Sequence, residues 1–421
     1  MKKTVKIIVL SAILFLFLLA AIFSSQYIGK GLFKYFTQTT ENPNKLITTD
    51  IKDLGYESVS TKVIYEQLTE EEKDLYDLIS KKVTSISNTQ TSEGFYKIDS
   101  VVYDKAELSG FSVFKVVSAF TYENPDVFWL RNVYSYHTAN GRTTVELSSY
   151  VSLEECSRMS EEIINVINEF ISKLKDNKDE YETEKVVFNY LTQKCSYDSL
   201  VDSGVENWKA YTIYGALVEG KAVCEGYSKA LLKLLNLCGV DSILINGYTP
   251  DHNAHMWNMV NINDKWYHLD VTGCDNDIIV TYKYFNLTDR QIEKNYIVSA
   301  QYEKDAEIYN GNFILPKAYD ESLGFYKKEG FVLSGLGNDF EKDLSIEIIS
   351  AAQKNRDTVH LYIDKNLDFN QTVSRLFTEY PYFFSKCLSR AEEVSRYTFD
   401  NETIMYVYDE TTRGISVKLF N

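Results

Sequence analysis

The chain has 421 residues, with 44 basic and 60 acidic side chains, a net charge of −16 and an isoelectric point near 4.9. So acidic a surface excludes a nucleic-acid partner, because holding a phosphate backbone needs a basic face. With no Gly-rich phosphate loop and no paired Cys-x-x-Cys signature, no cofactor or metal is expected, and the length suits two or three domains with ample cores.

Lys2, Lys3 and Lys6 precede an apolar run over 7–23, the order of an export signal or of an N-terminal anchor with its lysines inside. The run just reaches spanning length and lacks a small-x-small cleavage site. Residues 1–28 are therefore expected to be a signal peptide or membrane anchor. The bulk would lie outside the cytoplasm, held at the cell membrane by that single helix or secreted. Residues 29–57, with Thr37-Gln38-Thr39-Thr40 and Asn42-Pro43-Asn44, read as a spacer.

Residues 58–175 read as an N-terminal α+β segment. Thr69 to Glu72 form a capping box opening a helix through Ile86, with Leu75, Ile79, Val83 and Ile86 inward. A second helix is expected over 106–120, before Asn124-Pro125. Asn140-Gly141 between 134–138 and 143–149 marks a hairpin with a type I′ turn, and Ser152 caps a long helix to about 174. No catalytic constellation falls in this segment.

Residues 176–300 carry the chemistry. Helices over 181–193 and 208–218 lead to a third in which Tyr227, Ala230, Leu231, Leu234, Leu235 and Cys238 recur at three- and four-residue spacing before Gly239. Cys224 thus sits in a first turn, where unpaired N–H groups and the helix dipole favour the thiolate. Free cysteine is often just a buried thiol, and that is the expectation for Cys238; Cys274 has Cys195 as a potential disulfide partner.

Strands over 255–262 and 265–271 flank Asn263-Asp264, a strong hairpin signal. A two- or four-residue loop puts Trp257 opposite Asp270 and makes His255 the diagonal neighbour of Asp270, roughly 7 Å between β-carbons; a three-residue loop would put them on opposite faces. Thiolate, imidazole and orienting carboxylate are the parts of nucleophilic acyl transfer. His252 and His268 are the competing bases: His252 in a polar loop, His268 nearer the turn and able to line a groove with Trp257.

Ala222-Val223-Cys224-Glu225-Gly226-Tyr227-Ser228, the step from His255 to Asn258, Tyr214-Gly215-Ala216-Leu217 and Tyr197-Asp198 together resemble the transglutaminase-like superfamily over about residues 180–290. The resemblance implies an α+β protein with a papain-like, transglutaminase-like catalytic core and the triad Cys224, His255 and Asp270. Its substrate would be a protein or peptide, the cell wall being one setting, attacked at an amide through a thioester. Water would make it a peptidase or amidase and an amine a transglutaminase. The Cys224 N–H is one oxyanion donor and Tyr214 a candidate for the second. Two departures stand out: Gly273-Cys274 follows Asp270-Val271-Thr272 where the family has a tryptophan, which is expected to widen a wall of the site, and Met256 replaces alanine. The rival reading is a non-catalytic cell-surface binding module on the same fold.

From 301 the pattern changes to a helix over 340–352, a strand over 359–363, a helix over 369–379 and a strand pair over 404–408 and 415–419. A small C-terminal α+β domain is expected, its many aromatics explained better by core packing than by carbohydrate contact.

Overall fold

The computed structural model describes residues 27–30, 62–174, 179–275, 278–298, 313–401 and 403–420. The apolar run at 7–23 lies outside them, as does nearly all of the 29–57 spacer. Among the described residues no helix is long and apolar enough to cross a membrane. Two compact units result: Met1–Asp264 with Asn295–Pro316, and Lys265–Lys294 with Lys317–Asn421. The division therefore falls inside the stretch that the sequence reading kept together as 176–300.

In the first unit the Thr69–Glu72 capping box is present and opens the helix Glu70–Lys82. That helix stops four residues short of expectation, because Ile86 starts the strand Ile86–Gln90 and pairs with Ile98. Ile86 is buried all the same, so an inward apolar residue did not tell a helix end from a strand start. The next helix is Gly110–Glu123, shifted a turn later by the Ser109 cap. Val133–Ala139 and Arg142–Glu146 form the expected hairpin, with Asn140 at φ 55° and Gly141 at φ 73° as a type I′ turn requires. Ser152 caps Leu153–Ser172, accepting from the Glu155 N–H.

The single helix expected over 208–218 is two short pieces, a 3-10 turn Trp208–Tyr211 and a wide turn Gly215–Glu219. Thr212 separates them. Its hydroxyl donates to the Lys209 carbonyl and accepts from the Tyr214 and Gly215 N–H groups, and such local side-chain bonds compete with a continuous helix. The helix Cys224–Leu237 follows, almost entirely buried. Behind it lies a sheet in which Ser242–Tyr248 pairs antiparallel with Ala254–Ile262 on one side and with Ile297–Val298 on the other.

The second unit centres on a sheet in the order Phe331–Leu333, Thr358–Ile363, Gly414–Lys418, Tyr406–Asp409. The helices Asn338–Gln353, Phe369–Phe377 and Phe383–Val394 share its core, built from Leu344, Ile348, Leu361, Leu376, Phe384 and Val417. The parallel strand Phe331–Leu333 and the helix Phe383–Val394 were not foreseen, although Phe384, Cys387, Leu388 and Ala391 carry helical spacing. Residues 265–294 belong here through their own packing. His268 bridges to Leu287, Asp270 N–H donates to the Tyr284 carbonyl, and Tyr282 stacks on Phe325 at 3.5 Å.

Candidate active site

Cys224 is the first residue of its helix and half-buried, and the preceding Val223 supplies no side-chain cap. The first-turn N–H groups therefore meet no competing side-chain acceptor from that cap, as an oxyanion donor needs. Three features fix the helix start against the Trp208–Tyr211 turn. Val223 N–H donates to the Ala210 carbonyl at 3.0 Å. Gly226 lets that same carbonyl approach so closely that a Cβ would sit 2.3 Å from it. Lys229, buried and ion-paired with Glu225, also reaches the Tyr211 carbonyl at 3.5 Å.

Within electrostatic reach of the thiol are two phenols that the sequence reading did not single out as site residues, Tyr197 and Tyr211. Burial, followed by nearby negative charge that includes Cys224, pushes both phenols well above their ordinary range, so they remain protonated donors. Tyr197 hydroxyl donates to Asp202 at 3.3 Å. Among the described residues the Tyr211 hydroxyl has no hydrogen-bond partner. The signal for Tyr211 was available only through the turn that carries it, which had been read as helix.

His255 is half-buried at the start of Ala254–Ile262, its ring 4.8 Å from that of Tyr296 and 6.0 Å from that of Trp257. Opposite it in the sheet is Gly247, where a Cβ would meet the Trp257 ring at 2.6 Å. The strand is pinned to the Cys224 helix by a clamp: Ser228 hydroxyl donates to the Met256 carbonyl at 3.0 Å, and Asn258 amide donates to the Ser228 carbonyl at 3.1 Å and to Ser242 at 3.3 Å. Ser228 lies one turn, about 6 Å, beyond Cys224 along the helix, and Met256 is the neighbour of His255. The clamp thus ties the Cys224 helix, one turn beyond the thiol, to the strand next to His255.

A consequence is testable. Asn258→Ala is expected to cost about 1–3 kcal/mol, since it strands buried partners, and to lower acyl-probe labelling of Cys224 in the surviving folded protein. Urea unfolding and labelling on the same sample check both; a stability loss with unchanged labelling would mean that the clamp holds the fold without positioning the site.

Asp270 is fully buried and caps the short turn Val271–Cys274, its Oδ1 accepting from the Gly273 N–H at 3.0 Å. A Cβ on Gly273 would lie 2.5 Å from Asp270 Oδ2 and 2.7 Å from the Tyr284 ring. The departure from the family pattern therefore does not leave the expected gap: the Tyr284 ring fills the space beside this glycine.

Other expectations need correcting. Trp257 and His268 do not line a groove; they are 0% and 2% exposed. His268 Nε2 pairs with Asp289 Oδ1 at 3.1 Å, and burial holds its pKa below the ordinary histidine value against that carboxylate's pull. Tyr214 hydroxyl donates to Glu162 at 2.6 Å, and burial together with that carboxylate pushes its pKa up to about 12, so its one proton is already used. His252 is exposed in its loop. Cys274 is a free buried thiol rather than half of a disulfide. Burial pushes Cys238 and Cys387 up to about 12 and Cys274 higher still, so these three stay protonated at neutral pH. Among the described residues no cluster of side chains could hold a metal ion.

A sequence profile of the transglutaminase-like superfamily matches residues 168–271, a span that holds Cys224, His255 and Asp270. No curated protein matches the chain. Among solved structures it is similar to a TGase (17% identity, TM-score 0.26, covering 35% of this chain and 45% of that one). It is also similar to a candidate cysteine protease from Cytophaga hutchinsonii (11% identity, TM-score 0.22, 44% and 69%) and to a candidate protease from Parabacteroides distasonis (10%, 0.21, 36% and 41%). The chain spans less than half the length of that TGase. The α+β chain contains a domain of the transglutaminase-like superfamily over residues 168–271.

Proposed function

We propose that the protein is a cysteine-dependent acyl-transfer enzyme acting on protein or peptide amides outside the cytoplasm. Cys224 attacks the amide carbonyl and His255 takes its proton and returns it to the leaving amine. The resulting thioester is resolved by water or by an amine. Asp270 is assigned to orient the imidazole on the strength of the hairpin register read from the sequence. The Cys224 N–H supplies one oxyanion donor, and Tyr211 takes the place first given to Tyr214, because its hydroxyl has no other partner among the described residues. The observation that supports the proposal is the Ser228–Met256–Asn258 clamp, which ties the helix that begins at Cys224 to the strand that carries His255. Labelling by a thiol-reactive acyl probe, compared between wild type and Cys224→Ala, tests it.

The location rests on the lysine-flanked apolar run at 7–23, which we take as a retained membrane anchor. Protease added to intact cells is expected to release a large fragment. Protein found free in the medium without protease, with a new N-terminus near residue 22–26, would replace the anchor with a cleaved signal; a chain untouched by external protease and absent from the medium would refute export.

A further inference from the structure

The second unit holds a cavity of about 240 Å³, just under the usual range of small-ligand pockets, roughly 300–1,000 Å³. Its lining inverts the charge of the chain. Arg290, Lys294, Lys327 and Arg413 line it with one carboxylate, Glu321, in a protein where acidic residues outnumber basic ones 60 to 44. Glu321 lies 3.8 Å from Lys327, both about half exposed, so it offsets one of the four positive charges and leaves a net three.

The cavity is built rather than incidental. Arg413 Nε donates to the Ile363 carbonyl at 2.8 Å, and one terminal nitrogen donates to the carbonyls of Asp364 and Leu367 at 2.8 and 2.7 Å. These bonds fix the plane of the guanidinium while its other terminal nitrogen has no acceptor among the described residues. Arg413 adopts φ 57° in the turn that joins the strands Tyr406–Asp409 and Gly414–Lys418, a left-handed conformation uncommon outside glycine. The next residue must be glycine, since a Cβ on Gly414 would meet the Tyr326 ring at 2.1 Å, and Tyr326 lines the cavity too. Tyr362 brings a phenol close enough to Arg413 for the cation to act on its ionisation, and Thr411 adds a hydroxyl.

We propose that this cavity binds a phosphoryl group, carried either by a soluble phosphate ester or by a phospholipid headgroup. A fixed guanidinium offers the forked donors that phosphate oxygens accept, and lysines add point charge. A lone carboxylate would leave most of the net positive charge unanswered, whereas a phosphate monoester brings up to two negative charges and three free oxygens. None of the four cations falls within residues 168–271, so the proposal stands apart from the acyl-transfer reading.

The test uses the full chain in a neutral detergent and isothermal titration with glycerol 1-phosphate and, separately, with dihexanoylphosphatidic acid, whose headgroup is likewise a phosphate monoester, below its micelle concentration. The Arg290→Gln/Lys327→Gln double variant removes two exposed cations, of which Lys327 makes only the half-exposed ion pair with Glu321, and Arg375→Gln, on an exposed helix position outside the cavity, is the control. Saturable one-to-one binding of the soluble ester, weakened at least about tenfold in the double variant and unchanged in the control, supports the proposal with a soluble ligand. The same pattern with the short-chain lipid alone supports it with a lipid-borne one. Absence of binding to both probes overturns it, as does binding that the double variant leaves intact or that both variants weaken alike. Thermal unfolding of the double variant, expected to match wild type, keeps a folding defect from imitating lost binding.

Discussion

Cys224→Ala is expected to abolish labelling by an acyl probe and to lower any amide-directed activity by at least about a thousandfold, the scale on which losing a covalent nucleophile acts. The fold should be nearly untouched. The thiol is half-buried, occupies the first position of its helix and is not part of the apolar stripe, and alanine is the best helix former. A change in unfolding free energy within about 1 kcal/mol is therefore expected. His255→Ala should fall nearly as far, and Asp270→Asn by roughly a hundredfold or more, because the imidazolium loses its counter-charge and the wrong tautomer is favoured. Tyr211→Phe removes only one candidate oxyanion donor, for a loss of about a hundredfold. Wild type that reacts with no acyl probe, or labelling that survives in Cys224→Ala, would shift the assignment to a binding module on the same fold.

Glu225→Gln is expected to destabilise the first unit by about 3–5 kcal/mol. Glu225 and Lys229 are ion-paired one helical turn apart with side chains 7% and 3% exposed, and removing one partner of a buried pair leaves the other charge uncompensated in a poorly solvating interior. The pair also ties the Cys224 helix to the Tyr211 turn, so the folded fraction of the variant should label more slowly than wild type. Replacing both residues with apolar ones of similar size, Glu225→Leu with Lys229→Met, should recover much of the stability while leaving labelling slow. Urea unfolding followed by tyrosine fluorescence gives the first quantity and probe kinetics the second. A loss below 1 kcal/mol in the single variant would mean that water reaches the pair.

Some features were legible because they are local. The Thr69 capping box, the Asn140-Gly141 turn, the Ser152 cap and the Cys224 helix depend on backbone demands that a few adjacent residues meet. Asn263 and Asp264 likewise both adopt positive φ, 52° and 61°, and separate strands ending at Ile262 and starting at Lys265, a two-residue loop, one of the two even lengths that put His255 and Asp270 on one face.

Errors arose where a residue's role depends on partners far away in the chain. Trp257 and His268 alternate as groove residues would, yet Gly247 makes room for the indole and Asp289 for the imidazole, and both sink into the core. Tyr214 could have been an oxyanion donor until Glu162, 52 residues earlier, took its proton. The break at Thr212, which sets Tyr211 beside Cys224, arises because one hydroxyl satisfies three backbone groups better than a continuous helix would. The cavity around Arg413 has no signature in any short stretch, since its cations come from segments more than a hundred residues apart. The sequence alone determined which side chains can do chemistry and which helices and turns present them, because those are short-range matters of dihedral preference and apolar period. Only the tertiary structure decided which of those side chains stay exposed and which find partners, because burial and hydrogen-bond satisfaction depend on residues that the fold brings together from distant parts of the chain.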